Sequence, residues 1–98
     1  MTIEKKLNGN ELIMEIKGRL DTVTASELES SLKQSLAGIE TLIFDLKDME
    51  YISSAGLRVL LSTQKIMNAR GTMKIINVSE TVAEVFEVTG FSDILNIE

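Results

Sequence analysis

The sequence predicts an α/β fold: a mixed, mostly parallel sheet of four to five strands, opened by an N-terminal antiparallel hairpin and carrying its helices mainly on one face. Three observations predict it. The turn signal Asn8-Gly9-Asn10 separates two strand-like segments at the N-terminus. Beyond it, segments of helical period alternate with apolar runs of strand length. Such alternation implies crossover connections and parallel pairing.

Residues 2–7 and 11–18 supply the two arms of the hairpin. In the second arm Leu12, Met14 and Ile16 alternate with Glu11, Glu15 and Lys17. Ile13 breaks the alternation and predicts cover on both faces. A helix comes next. Thr24 with Glu27 three residues on spells a capping box, and Ala25, Leu28, Leu32 and Leu36 share one helical stripe. Gly38 suits the left-handed conformation that ends a helix. Residues 41–46 contain Leu42, Ile43, Phe44 and Leu46, and read as a central strand buried on both faces. An acidic connection then leads to a second helix, starting at Ser53 or Ser54 and running towards Ala69. Its inner stripe is Leu57, Leu60, Leu61 and Met67, with Gln64 as a polar interruption, and Gly71 stops it. Residues 73–78 form the next strand. Ser79 caps a third helix with Val82, Val85 and Phe86 inward and Gly90 at its end. Residues 94–97 read as a last short strand.

Composition narrows the chemistry. The 98 residues are 44% hydrophobic and 26% charged, the make-up of one folded domain over residues 1–98. There is no Cys, which removes disulfides and thiolate nucleophiles and fits a reducing compartment. There is no His, which removes the usual general base, the commonest metal ligand and any Ser-His-Asp mechanism. No cofactor or metal is expected. Residues 1–10 are polar and lack the apolar core of a secretory signal, and no apolar run approaches a membrane span. A cytoplasmic monomer is expected. The net charge is −5 and the ten Lys and Arg are spread along the chain, which argues against nucleic-acid and membrane partners. Proteins or small ligands remain.

The most informative stretch runs from Asp45 to Leu61. A strand ends near Leu46, a short acidic loop leads on, and Ser53-Ser54-Ala55-Gly56 opens a helix. In open α/β sheets, ligands and partners bind at the loops leaving the carboxyl ends of strands. Free N–H groups and the helix dipole favour negative charge at such a helix start. A phosphate there would be tolerated by the fold while adding nearly two negative charges to its surface. Serine also starts helices simply as an N-cap. Gly56 in the first turn, unfavourable for the helix itself, suggests close approach of another group to the backbone.

Ile52-Ser53-Ser54-Ala55-Gly56-Leu57-Arg58-Val59-Leu60-Leu61 resembles the signature of the STAS domain family, specifically bacterial anti-sigma factor antagonists. Gly18-Arg19-Leu20-Asp21 with Thr24-Ala25 resembles that family's strand-to-helix turn. Phe44-Asp45-Leu46 with Tyr51-Ile52 resembles its central strand and approach loop. Val85-Phe86-Glu87-Val88-Thr89-Gly90-Phe91 with Ile94-Leu95 resembles its C-terminal motif. The resemblance covers nearly the whole chain in order and spacing. It implies a STAS-like fold and a partner-switching function without catalysis. Such a protein binds an anti-sigma factor that is also a serine kinase and so releases a sigma factor. Phosphorylation of one serine abolishes the complex, and a serine phosphatase restores it.

Aligned on Gly56-Leu57, the phospho-acceptor falls on Ser54, with Ser53 as the alternative. The family's pattern there is Asp-Ser-Ser/Thr-Gly. Ser53 stands in place of the Asp and Ala55 in place of the following Ser/Thr. The partner surface implied by the resemblance comprises Asp21 and Thr22 together with Ser53, Ser54, Ala55, Gly56 and Arg58. Read without the resemblance, Asp21 is a turn or helix-start carboxylate. Asp45 is expected to hydrogen-bond the Ser53-Ser54 loop, because a carboxylate in a buried strand needs a partner. Two other functions compete. STAS-like chains also serve in stressosome-type assemblies and as subunits of lipid-transport ATPases. A serine enzyme would need a lysine base, and no lysine motif accompanies Ser54.

Overall fold

The computed structural model describes all of residues 1–98. The chain opens with β1 (Thr2–Asn8) and β2 (Glu11–Leu20), antiparallel partners with Asn8 opposite Glu11. The two residues between them turn the chain, and Gly9 takes φ +61° at the first of them, where a side chain would be strained. Then come α1 (Thr22–Ser35), β3 (Thr41–Asp45), β4 (Met49–Ile52), α2 (Ser54–Asn68), β5 (Thr72–Ile76) and α3 (Glu80–Val88). The sheet order is β1-β2-β3-β5, with β4 also pairing β2. Every pairing beyond the hairpin is parallel. The mixed, mostly parallel sheet read from the sequence is therefore the architecture found.

One face of this sheet holds the core. Leu12 lies opposite Leu42 and Leu42 opposite Met73; Met14, Phe44 and Ile75 make a second row. All six are buried and join the helix stripes in one cluster of 23 residues. Ala25, Leu28, Leu32 and Leu36 come from the first helical stretch, and Leu57, Leu60 and Met67 from α2. Leu61 is only half-buried, while Gln64 is buried with its Oε1 unbonded.

The expectation of burial on both faces at Ile13 and across residues 41–46 is not met. Ile13 and Ile43 are half-buried and pair across β2 and β3 on the open face. A single helical layer covers one side only. The other side is sheltered by long polar side chains, with ion pairs Lys6–Glu15 (2.9 Å) and Lys17–Glu4 (3.3 Å) across the hairpin.

Three further readings are corrected. The acidic connection contains a strand, β4. Four residues beside charged neighbours carry too little periodicity to be seen, and they are strand because the end of β2 offers them a ladder. The capping box is Asp21 with Thr24, not Thr24 with Glu27, so α1 begins at Thr22. The last strand shrinks to one bridge between Ile75 and Ile97, preceded by a 3₁₀ turn at Phe91–Asp93.

Candidate functional site

Strand β2 builds the site because it changes partner along its length. Glu11–Glu15 pair with β3, and Gly18, Arg19 and Leu20 pair with β4. The register shifts between Gly18 and Arg19, where Gly18 has φ +91°, and the Gly18 N–H donates to the Asp48 carbonyl at 2.9 Å. A glycine bulge of this kind bends a strand and re-aims the residues beyond it. Leu20 then stands opposite Ile52, and the Ser53 N–H donates to the Leu20 carbonyl at 2.8 Å. The starts of α1 and α2 are thereby brought to one end of the sheet.

Each start is capped by its own chemistry. The Asp21 Oδ1 accepts from the N–H groups of Val23 and Thr24, both at 3.0 Å, and the Asp21 N–H donates to the Thr24 Oγ1 at 2.8 Å. These donors favour the carboxylate, first the Thr24 backbone and hydroxyl and then Val23 and the nearby Arg19. They hold the Asp21 pKa below its ordinary value. At α2 the Ser53 hydroxyl oxygen accepts from the Gly56 N–H at 3.2 Å. Ser54 is the first helical residue. It is exposed, and its hydroxyl makes no hydrogen bond within the chain. No acidic residue lies in the first turn of α2 to offset the dipole from within the helix.

The residues singled out from the sequence divide in three. Thr22, Ser54 and Arg58 are exposed, and Asp21, Ser53 and Ala55 are half-buried around them. Gly56 is buried and is removed from the reachable surface. The group that approaches its backbone closely is the chain's own Leu20, with Ile52 beside it. Asp45 does not reach the serines. Its Oδ1 accepts from the Lys47 N–H at 3.1 Å and from the Asn77 amide at 3.2 Å, because β3 points its carboxylate to the open face.

Two features at this end escaped the sequence reading. Val23, in the first turn of α1, is an apolar side chain 74% exposed. The Arg19 guanidinium lies 4.3 Å from the Tyr51 ring centroid, a cation–π pair across β2 and β4. Finding β4 would have revealed the pair. Val23 carries no local signal, since a lone valine in a helix reads as core.

No group of three acidic side chains is placed to hold a metal ion, and no helix is long and apolar enough to cross a membrane. What the site offers is a shaped, partly apolar surface around the free Ser54 hydroxyl. The chain is similar to the anti-sigma-B factor antagonist of Bacillus subtilis strain 168, 32% identical over 98 residues, covering 99% of this chain and 90% of that one. Its fold matches that of the anti-sigma factor antagonist SpoIIAA in unphosphorylated form. The TM-score is 0.85 at 17% identity, over 99% of this chain and 88% of that one. The phosphorylated form of SpoIIAA, a Bacillus cell fate determinant, superposes with TM-score 0.77 at 16% identity, over 99% and 91%. The STAS domain model matches residues 2–98, and on that match the chain belongs to the STAS domain family.

Proposed function

We propose that this chain is an anti-sigma factor antagonist. It binds an anti-sigma factor that is also a serine kinase, frees the sigma factor, and is switched off when that kinase phosphorylates Ser54. A serine phosphatase resets it, and the chain performs no catalysis. The observation that carries this reading is the contrast between the two adjacent serines. The Ser53 hydroxyl is engaged in capping α2, whereas the Ser54 hydroxyl is exposed and unbonded, at the end of the sheet where Leu20 pairs with Ile52 and α1 also begins. The name of the relative at 32% identity supports the antagonist role. A structural relative solved in unphosphorylated and phosphorylated forms supports a fold that survives the modification.

Phosphate at the first residue of α2 meets free backbone N–H groups and the positive end of the dipole, so the helix gains rather than loses. The partner instead meets nearly two new negative charges. Ser54→Asp is therefore expected to keep the unfolding midpoint, with at most about 1 kcal/mol gained from the dipole. The same variant should lose calorimetrically measured affinity for the anti-sigma factor kinase of the same organism. Ser54→Ala should bind it and take up no labelled phosphate from ATP. Undiminished binding by Ser54→Asp would remove the switch from this residue. Continued labelling of Ser54→Ala would move the acceptor to Ser53.

A further inference from the structure

We infer that the groove between α1 and α2 docks an acidic amphipathic helix of a protein partner. The groove consists of two adjoining hollows of about 450 and 270 Å³ that share Glu29, Val59 and Ser62. The larger has an apolar floor of Leu32, Leu36, Val59 and Ile66. Ile66 is 44% exposed, a large apolar side chain left open on a helix that buries its other large ones fully or in part. The smaller hollow is walled by Ala25, Ser26 and Ala55, short side chains that leave room between the helices. A helix laid along such a groove inserts side chains spaced i, i+3/i+4 and i+7.

Charge selects the occupant. All 15 acidic residues lie outside residues 51–79, a stretch that carries Arg58, Lys65, Arg70 and Lys74. The first three belong to α2 or its end, in a chain of net charge −5. Arg58 and Arg70 line the hollows, and Lys33 adds a cation from α1. Lys33 is paired with Glu29 at 3.5 Å, the one carboxylate of the groove. Arg70 gives one N–H to the Leu36 carbonyl at 2.9 Å and keeps its others, while Arg58 and Lys65 have no ion pair. An acidic segment is attracted here and repelled by the rest of the molecule. The smaller hollow reaches Ala55 and Arg58, beside and one turn beyond Ser54. Where the proposed switch holds, phosphate on Ser54 draws Arg58 and repels an acidic helix. That last link rests on the proposed function, and the groove itself does not.

The test is an amide NMR titration with two synthetic lactam-bridged helices that share one leucine stripe, with glutamates or lysines elsewhere. The glutamate helix should shift Leu32, Val59, Ser62 and Ile66 saturably and weaken as salt is raised. Ile66→Asp should abolish the shifts, and the exposed pair Arg58→Glu with Lys65→Glu should weaken binding about tenfold or more. No shifts, shifts elsewhere, or equal binding of the lysine helix would overturn the inference. The same variants separate the two proposals against the anti-sigma factor kinase. Loss with Ser54→Asp but full binding by Ile66→Asp and the double charge variant leaves the switch standing and removes the link between groove and switch. Docking of the glutamate helix at the groove without any kinase binding leaves the groove standing and removes the switch.

Discussion

A methyl group added at residue 56 would stand 2.7 Å from Leu20 Cγ, 2.9 Å from Leu20 Cδ2 and 3.0 Å from Ile52 Cγ1. Leu20 is fully buried, so it has nowhere to swing. Overpacking of this kind costs about 1–3 kcal/mol, and the helix propensity gained by alanine returns ~1 kcal/mol. Gly56→Ala is therefore expected to lose up to about 2 kcal/mol in urea unfolding at unchanged m-value. Gly71 is tighter still. A Cβ there would meet the Glu40 carbonyl oxygen at 2.0 Å, and that oxygen is fixed by the Thr72 N–H at 2.9 Å. Backbone cannot move as a side chain can, so Gly71→Ala should lose more, ~3 kcal/mol. Sequence marked both glycines, Gly56 for the close approach of another group, which the chain's own Leu20 makes, and Gly71 only as a helix stop. Both contacts are with residues 36 and 31 positions away in sequence, which no local pattern records.

At the scale of elements, α1 shows how neighbouring structure decides between two legible caps. Thr24 with Glu27 and Asp21 with Thr24 are both sound capping sequences. Strand β2 runs to Leu20 with no residue to spare, so the helix must start at once and Asp21 takes the cap. Its lowered pKa has a definite sign. The carboxylate stabilises the fold above its ordinary value of 3.8, and this contribution fades as pH falls through the lower folded value. Asp21→Asn keeps a capping side chain without the charge. Its unfolding midpoint should lie below that of the wild type above about pH 5, and the gap should close in more acid solution, below ~pH 4. A constant gap across that range would remove the charge from the account. The other stop and start signals, Ser79 at α3 and Gly90 beyond it, were legible because they depend only on adjacent backbone. Strand β4 was not, because its conformation is imposed by the bulged end of β2.

Across the whole molecule, the sheet separates two surfaces with different tasks. The open face matches its charges within itself, through Lys6–Glu15, Lys17–Glu4 and Lys74–Glu98. The helical face carries the free cations of α2 and the unbonded Ser54 hydroxyl. The fold class was legible in the sequence because hairpin turn, helix stripes and apolar runs keep fixed periods. The gathering of the α1 and α2 starts at one end of the sheet was reached only through family resemblance. Its physical basis, Leu20 paired with Ile52, is a long-range register that periodicity does not specify.

The partner change along β2 also divides the chain by how it accommodates extra length. Between Glu11 and Leu20 the residue count is fixed from both ends, by β3 at the start and by β4 at the finish. One residue inserted within that span reverses which side chains enter the core and slides Leu20 away from Ile52. The step from Asn8 to Gly9 lies at the opposite end and closes only the edge strand β1. A short epitope spliced in after Asn8 should leave the circular dichroism spectrum and partner affinity intact, while a single glycine added after Ile13 should abolish cooperative unfolding. The hairpin turn is thus a natural place to mount a label, and within the stretch from β1 to Leu20 extra length is tolerated only at that end.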